Sequence, residues 1–251
     1  MTAYRDAFPR EFNRYIEPFL GSGAVFFYLQ PKKALLSDIN KVLIETYLAI
    51  QKDWDRVRKL LETHHCRHNQ EYYYSVRRKR YRDIFERAAQ FIYLNRTCWN
   101  GLYRVNLRGE FNVPIGTKTS VILDTDNFEQ TSLILQSVRL IHSDFEPIIR
   151  MAGEGDFLFV DPPYTVKHNY NGFVKYNEKL FRWADQVRLR DALLEAAGRG
   201  AKILITNAHH DSVRQLYSGF GVHEDLERAS VLAAISAYRG LAKELVIRSW
   251  L

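Results

Sequence analysis

The stretch that decides the fold is RYIEPFLGSG, residues 14–23. Its first six residues predict a short strand, and Gly21-Ser22-Gly23 predict the turn that follows. Residues 24–29 predict an apolar helix, and residues 34–38, ALLSD, predict a second strand that ends in a carboxylate. In an α/β sheet, a glycine turn between the first strand and its helix lets the backbone approach a ligand closely. The alternative is that these glycines serve only the packing of helix on strand.

Strands and helices alternate along the rest of the chain, except in one central block. Further strands are predicted at residues 138–142, 157–160 and 202–206, helices at 41–51 and 183–197, and a late antiparallel hairpin that pairs 231–234 with 244–247. This alternation predicts a doubly wound, mostly parallel α/β sheet built from residues 1–53 and 135–251. Residues 54–134 are basic and become rich in turns, and they predict an inserted helical and β-hairpin domain.

The composition excludes several classes of protein. The 251 residues include 36 Lys and Arg against 29 Asp and Glu, for a net charge of +7, which suits a polyanionic partner. Two cysteines cannot form a disulfide framework, and no apolar run reaches the roughly 18 residues that span a bilayer. The N-terminal residues lack the apolar core of a signal peptide. Membrane proteins and small secreted domains are therefore excluded, and we expect a reducing, cytoplasmic compartment.

The most informative tetrapeptide is DPPY, residues 161–164, which directly follows an apolar strand. It is therefore expected at the carboxyl edge of the sheet, where open sheets bind ligands. The Asp161 carboxylate and the Pro162 carbonyl are two acceptors, which suits binding both hydrogens of an exocyclic amine such as N6 of adenine. An amine held in this way approaches tetrahedral geometry and points its lone pair at a methyl donor.

The neighbouring residues fit the same chemistry. Pro162 and Pro163 stiffen the turn and remove N–H donors that would oppose the amine. Tyr164 supplies a flat face on which an extruded base can stack. Asp38 can accept hydrogen bonds from ribose hydroxyls, or it can cap the next helix, a role for which Asn40 competes. The alternative for DPPY is a proline-rich strand exit with an exposed tyrosine.

Two histidine-rich segments lack the residues that would give them a chemical role. His64-His65-Cys66-Arg67-His68 has no second ligand pair at zinc spacing, so no metal site is predicted. His209-His210-Asp211 comes without the nucleophile motif of a hydrolase. A loop or a helix start is expected there instead, with Asp211 as a candidate N-cap.

Four motifs, in this order along the chain, resemble those of the Dam family, the alpha-class adenine-specific N6 DNA methyltransferases. They are YIEPFLGSGA at 15–24, LNRTCWNGLYRVN at 94–106, RGEFNVPIG at 108–116 and DPPY at 161–164. The resemblance extends from about residue 4 to the C-terminus. It implies a Rossmann-like methyltransferase sheet, S-adenosylmethionine as methyl donor and double-stranded DNA as substrate, with GATC as the first expected target.

The resemblance also assigns roles to residues of the sheet. Gly21 to Gly23 are expected near the amino-acid end of the donor and Asp38 at its ribose. Asp144 and Phe145 are expected beside its adenine. The full expected donor set is Glu17, Phe19, Gly21, Gly23, Asp38, Asp144, Phe145 and Asp161, and the catalytic set is Asp161, Pro162, Pro163 and Tyr164. Asn207 lies where the family has Asn or Ser, and its role stays open.

DNA recognition is expected, from the same resemblance, in the turn-rich stretch 95–116. The expected DNA-binding residues are Trp99, Asn100, Leu102, Arg104, Asn106, Arg108 and Pro114. Arg104 can contact O6 and N7 of a guanine. Trp99 stands where family members commonly have Phe or Tyr; with Asn100 and Leu102 it can wedge into the base stack, or it can anchor the hairpin. Upstream, RRKRYR at 77–82 is a solvated face or a set of phosphate contacts.

One departure from the family bears on activity. Most Dam-like enzymes have Pro-Gly-Gly-Lys or Ala-Gly-Gly-Lys before the first strand, and nothing similar precedes Tyr4 in this sequence. Either the given sequence starts downstream of this segment, or the protein has lost it. If it is lost, weaker donor binding is expected, and a catalytically weak DNA-binding module is then a rival hypothesis. An RNA adenine methyltransferase is a second rival, because DPPY occurs among other amino-methylating enzymes. The expected setting is a monomer in the cytoplasm of a prokaryotic or phage-infected cell, without a membrane partner, and a cognate restriction endonuclease is a candidate partner.

Overall fold

The chain divides into two compact units. The computed structural model describes residues 7–106, 109–166, 181–229 and 241–250. The first unit joins Met1–Ile39 with Ser143–Leu251, and the second is Asn40–His142. The helix that begins at Lys41 belongs to the second unit because it packs along the later helices of that unit. The extent of the DNA-reading domain, predicted as 54–134, stays a prediction.

The first unit holds six of the described strands. They are β1 (Arg14–Glu17), β2 (Ala34–Asp38), β4 (Asp156–Val160), β5 (Lys202–Ala208), β6 (Val222–Ala229) and β7 (Leu241–Arg248), whereas β3 (Val138–His142) ends the second unit. Within the first unit the order is β2-β1-β4-β5-β7-β6. The first four of these are parallel, and β7 is antiparallel to both of its neighbours. The predicted mostly parallel α/β sheet is confirmed.

The centre of this sheet forms the apolar core of the first unit. In β1, Ile16 pairs with Leu35 of β2 on one side and with Leu158 of β4 on the other, and all three are buried. Tyr15 and Phe157, also buried, meet edge to face with ring centroids 5.7 Å apart. Burying one such large side chain stabilises the fold by about 1.5–3 kcal/mol. This core fixes the strand ends on which the polar residues sit.

Four helices are described in the first unit. They are α1 (Ala24–Leu29), α6 (Phe145–Arg150), α7 (Trp183–Gly198) and α8 (Asp211–Leu216). Asp144 caps α6 by accepting a hydrogen bond from the backbone N–H of Glu146. His210, rather than Asp211, is the N-cap of α8, so that part of the prediction is wrong. The imidazole accepts the N–H of Ser212, a role usually filled by Ser, Thr, Asp or Asn.

The second unit is mainly helical. Its helices are α2 (Lys41–Arg67), α3 (Gln70–Arg78), α4 (Ile84–Thr97) and α5 (Phe128–Leu135). Asp53 interrupts α2 with φ −157° and ψ 82°, close to the predicted end of the helix at 51. The chain then continues as helix because the Asp53 side chain accepts the backbone N–H of Arg56, as an N-cap does.

The edge hairpin differs from the one that the sequence predicts. Residues 244–247 pair with His223–Leu226 of β6, and the predicted partner 231–234 lies outside the described residues. The sequence of β6, VHEDLERA, is rich in charges, which hides its strand character. Charged side chains are common on edge strands because they discourage pairing with another chain. Over the described ranges, none of the helices combines the length and the apolar character needed to cross a membrane.

Candidate active site

Three carboxylates lie at one edge of the sheet. Glu17 ends β1, Asp38 ends β2, and Asp161 follows the last residue of β4. Because β1 pairs in parallel with both β2 and β4, these three strand ends meet at the same carboxyl edge. Carboxylates at the ligand-binding edge of an open sheet give a site that favours cationic groups and hydroxyl or amine donors.

The glycine turn is tied to Asp38. Gly21 and Gly23 have φ values of 48° and 63°, in the left-handed region that favours glycine. A Cβ at Gly23 would lie 3.1 Å from the Phe27 ring. The backbone N–H of Gly21 donates to Asp38 Oδ2 at 3.0 Å, whereas Asn40 caps α2 by accepting two backbone N–H groups. Asp38 therefore belongs to the turn and not to the helix cap.

Glu17 is a buried acid. Only 2% of its surface is exposed, and its carboxylate accepts a hydrogen bond from the Tyr15 hydroxyl at 2.9 Å. Burial raises the pKa of Glu17 well above its ordinary value, and the charges of Asp161 and Asp38 add to the rise. The hydrogen bond from Tyr15 opposes that rise and is outweighed by burial. Glu17 therefore holds its proton more tightly than an exposed glutamate does.

Stability is expected to depend on pH through Glu17. Between the ordinary pKa and the raised one, the folded chain keeps a proton that the unfolded chain has lost, so stability falls as pH rises. The Glu17→Gln variant lacks this penalty. We expect its thermal midpoint, relative to that of the unchanged protein, to be higher at about pH 8 than at about pH 5. Glu195→Gln, at an exposed position of α7, should show no such trend, and an equally flat difference for Glu17→Gln would contradict the assignment.

An aromatic cluster adjoins the start of α6. Phe19 and Phe145 stack with ring centroids 5.3 Å apart and an angle of 26°, and Phe181 meets Phe19 edge to face. The Arg188 guanidinium lies 4.4 Å from the centre of the Phe145 ring and donates to both oxygens of Asp144, at 3.2 and 2.9 Å. The expected donor residues Phe19, Asp144 and Phe145 are thus brought together. Arg188 was missed, because one arginine in a polar helix gives no local signal.

The DPPY turn leaves its acid at the surface. Asp161 is exposed, Pro162 is buried, and Pro163 and Tyr164 are partly buried. The Thr206 hydroxyl donates to Asp161 Oδ1 at 2.7 Å. This hydrogen bond links the DPPY turn to β5.

Asn207 lies next to Thr206 in β5 but serves a different contact. It is completely buried and exchanges hydrogen bonds with the side chain of Gln186 on α7. This pair fixes α7 against the sheet. The role left open for Asn207 by the sequence is therefore, in the described residues, a buried contact between helix and strand.

The predicted hairpin is present in the second unit. Cys98 pairs with Ile115 and Val105 with Phe111 in antiparallel bridges. At Gly116 the two sides of the hairpin base come close together: a Cβ there would lie 2.5 Å from the Cys98 carbonyl oxygen, so only glycine fits. Arg108 lies outside the described residues.

Apolar side chains project from the base of the hairpin. Residues Trp99–Gly101 form a 3-10 turn in which Asn100 has a φ of 55°. Trp99 exposes 54% of its surface and Leu102 exposes 40%. These side chains are accessible at the surface, as the predicted wedge requires. The carbonyl of Pro114, a predicted DNA-binding residue, accepts the backbone N–H of Trp99 and so stabilises the turn.

The polar residues of the hairpin are paired across its strands. Arg104 Nε donates to Asn112 Oδ1 at 3.0 Å, and the backbone N–H of Asn112 donates to the Arg104 carbonyl. Asn106 Nδ2 donates to Glu110, which also forms an ion pair with Arg80 at 2.7 Å. The hydrogen bond from Asn106 and then that from Arg80 lower the pKa of Glu110. The hairpin is therefore pre-ordered by its own side chains.

The basic run ends at a cavity beside the hairpin. Helix α3 stops at Arg78, so residues 79–82 lie in the connection between α3 and α4. The cavity has a volume of about 490 Å³ and is bounded by five basic side chains and several aromatic rings. The basic side chains are Arg77, Arg78, Lys79, Arg80 and Arg87, and three of the rings are Phe91, Tyr103 and Phe111.

The histidines at 64 and 68 pack against tyrosines. His64 Nδ1 lies 2.9 Å from the Tyr72 hydroxyl, and its ring stacks on Tyr93 with centroids 4.8 Å apart. His68 Nδ1 lies 2.8 Å from the Tyr93 hydroxyl. Burial, with nearby positive charge, lowers the pKa of His64 to about 4. His64 is therefore neutral at ordinary pH and belongs to the core of the second unit.

Comparison with known proteins bears on both units. The family described as D12 class N6 adenine-specific DNA methyltransferase matches residues 4–231, which is most of the chain. This span includes the glycine turn, the hairpin and the DPPY turn. The chain belongs to the D12 class of N6 adenine-specific DNA methyltransferases. The resemblance to the Dam family is confirmed.

This D12 methyltransferase is similar along most of its length to methyltransferases of bacteria and archaea. It is 34% identical to the Type II methyltransferase M1.LlaDCHI of Lactococcus lactis subsp. cremoris, over 96% of this chain and 88% of that protein. It is 38% identical to the Type II methyltransferase M.MjaIII of Methanocaldococcus jannaschii, over 83% and 78%. The DNA adenine methylase of Haemophilus influenzae is 32% identical over 85% and 77%.

Proposed function

We propose that this D12 methyltransferase transfers a methyl group from S-adenosylmethionine to N6 of an adenine flipped out of double-stranded DNA. The observation that carries the proposal is the meeting of Glu17, Asp38 and Asp161 at one sheet edge, next to a glycine turn. An acidic edge suits a cationic sulfonium donor. The three acids differ in burial: Glu17 is enclosed by the protein, whereas Asp161 is exposed and can meet a substrate.

The residues of the first unit fit the parts of the donor. When bound, S-adenosylmethionine supplies an electrophilic methyl group. The backbone of Gly21 to Gly23 allows close approach of the donor's amino-acid end, and Asp38 accepts from its ribose hydroxyls. Phe19 and Phe145 offer apolar faces for a purine ring. Asp144, held by Arg188, is an acceptor for the amino group of that purine.

The DPPY turn is proposed to hold the reacting amine. The Asp161 carboxylate and the Pro162 carbonyl accept the two N–H groups of adenine N6, which directs its lone pair at the methyl group. Tyr164 stacks on the base after it leaves the helix. Pro163 keeps the turn rigid, so the geometry is set before the base arrives.

The second unit is proposed to bind and read the DNA. Trp99 and Leu102 would fill the gap left by the flipped base, with Asn100 at the tight turn between them. Arg104 would read a guanine in the major groove, and GATC is the proposed target. Asn106, Pro114 and Arg108 belong to the same proposed DNA-binding hairpin, whose described polar groups are held by cross-strand pairs.

Part of the binding free energy is expected to come from phosphate contacts of the basic run. Each phosphate neutralised on duplex DNA contributes a slope of about −0.9 to the plot of log affinity against log salt concentration. For about three contacts, we expect a slope near −3, measured by fluorescence anisotropy with a labelled duplex. Arg78→Ala, at an exposed position of α3, should reduce that slope by about 1.

Arg190→Ala is the matched control for this titration, because Arg190 lies on α7 of the first unit and pairs with Asp191. It should leave the slope unchanged. A nearly flat titration of the unchanged protein would contradict phosphate binding.

The decisive test of the function compares three acceptors for the methyl group. The full chain is incubated with radiolabelled S-adenosylmethionine and a GATC duplex, a duplex with the site altered, or a structured RNA, and N6-methyladenine is measured by mass spectrometry. We expect methylation of the GATC duplex. Methylation of RNA alone would support the RNA rival, and tight binding of DNA with no methyl transfer would support the weak DNA-binding module.

The biological setting is a further proposal. Two relatives are named Type II methyltransferases, which favours a role beside a restriction endonuclease encoded elsewhere. We propose a monomer acting on DNA in the cytoplasm of a prokaryotic or phage-infected cell. Sedimentation of the protein with and without duplex DNA would test the proposed oligomeric state.

A further inference from the structure

We infer that Thr206 is a positioning residue for methyl transfer, which sets the orientation of the Asp161 carboxylate. The inference rests on the proposed function, in which Asp161 holds the target amine. Its basis is a single short contact, 2.7 Å, between the Thr206 hydroxyl and Asp161 Oδ1.

The register of the strands places Thr206 beside Asp161. The ladder between β4 and β5 pairs Val160 with Ile205, so Asp161 and Thr206 are the next residues in register beyond that pair. On the other side, Thr206 pairs with Val246 of β7. Residues aligned on neighbouring strands direct their side chains to the same face of the sheet. The hydroxyl is therefore placed by two strands, one on each side of β5.

Thr206 is buried and Asp161 is exposed, as expected if Thr206 positions Asp161. Thr206 exposes 2% of its surface, whereas Asp161 is exposed. The β-branched side chain of threonine has few rotamers, so its hydroxyl is fixed before any ligand binds. A carboxylate only accepts hydrogen bonds, so the Thr206 hydroxyl is the donor. It donates to Oδ1 and thereby restricts the orientation of the carboxylate.

Asn207, the next residue of β5, makes its hydrogen bonds on the opposite face of the sheet. Asn207 points away from Thr206 and pairs with Gln186 on α7. Its contact serves packing, whereas the contact of Thr206 reaches an acid at the surface. A valine at position 206 would keep the shape and the strand preference of threonine and remove only the hydroxyl.

The hydroxyl affects both the geometry and the ionisation of Asp161. Without it the carboxylate loses a hydrogen bond that orients it, and a misplaced acceptor lowers the rate of the chemical step more than the affinity for substrate. A hydrogen bond donated to a carboxylate also favours its charged form. The acidic limb of the rate profile is therefore expected to move to higher pH when the hydroxyl is lost.

The test compares Thr206→Val, Thr206→Ser and Thr206→Ala in the full chain. For Thr206→Val and Thr206→Ala we expect kcat on the duplex to fall by about 10-fold, with KM changed less than about twofold. The acidic limb of kcat against pH should move to higher pH. Thr206→Ser, which keeps the hydroxyl, should restore both the rate and the limb.

Two controls separate this role from packing. Thr46→Val removes a buried hydroxyl that donates to the Val42 carbonyl within α2, and it should leave kcat and the pH profile unchanged. Circular dichroism checks that each variant is folded. If Thr206→Val does not fold, Thr206→Ala replaces it as the variant without the hydroxyl.

The outcomes distinguish the inference from the function on which it rests. Full activity of Thr206→Val with an unmoved limb, or equal losses in the valine and serine variants, would overturn the role of Thr206 while Asp161→Ala still abolished transfer. An unchanged protein that methylates no adenine in DNA would overturn the proposed function, and the inference with it.

Discussion

Asp161→Ala is expected to abolish methyl transfer while leaving the fold and DNA binding intact. Asp161 is exposed and follows β4, so its side chain makes little contribution to the core. In the proposed mechanism it is one of two acceptors for the hydrogens of adenine N6. Loss of a positioned group that acts on protons in the transition state lowers rates by about 10²–10⁴-fold.

The asparagine variant makes the test sharper. Asp161→Asn keeps the size of the side chain but replaces one acceptor oxygen with an N–H donor, which would oppose the amine. We expect it to be nearly as inactive as the alanine variant. The measurement is the single-turnover rate of N6-methyladenine formation at saturating duplex and donor, with circular dichroism as the check on folding.

Asp124→Ala is the matched control, because Asp124 is an exposed aspartate of the second unit that has no assigned role. It should transfer methyl groups at the rate of the unchanged protein. If Asp161→Ala kept a rate within about twofold of that value, Asp161 would not hold the reacting amine.

Arg104→Ala is expected to relax the choice of sequence. The pairing of Arg104 Nε with Asn112 holds the guanidinium in one plane and directs its terminal nitrogens away from that partner. A bidentate contact of such a fork with guanine O6 and N7 is worth about 1–3 kcal/mol of discrimination. The ratio of kcat/KM between the GATC duplex and a duplex altered at the guanine should fall by the corresponding factor, about 5-fold to 150-fold.

The salt dependence separates base reading from phosphate binding. Arg104→Ala should keep the slope of log affinity against log salt, because a base contact neutralises no phosphate. Arg78→Ala should instead weaken binding to both duplexes by the same factor. Equal losses on the two duplexes for Arg104→Ala would show that Arg104 acts as a general DNA contact.

The sequence predicted much of the fold, because the signals for its central elements are local. Strands β2, β3 and β4 and helices α1 and α7 lie within a residue or so of the predicted bounds. In each of these elements, the apolar run lies within a few residues of the glycine, proline or capping residue that marks its end. Charged β6 gave no such signal, and the short helices α5 and α6 were not predicted. A helix start was one of the two expectations for residues 209–211, and α8 begins there.

For the candidate site, the residue types were visible in the sequence but their partners were not. The glycine turn, Asp38 and the DPPY turn could be identified as polar or flexible positions at strand ends. Asp38 accepts a hydrogen bond from Gly21, which is 17 positions away in the sequence. Arg188 pairs with Asp144, which is 44 positions away. Only the structure could therefore show that Asn40, and not Asp38, caps α2.

The sequence by itself determined the alternation of strands and helices, the order of the motifs and the family to which they point. Only the tertiary structure decided which side chains share a hydrogen bond, such as Thr206 with Asp161, which are 45 positions apart. The physical reason is that strand and turn preferences act over a few neighbouring residues. A hydrogen bond across the sheet instead requires two strands to be in register, and that register is set by the packing of the whole core.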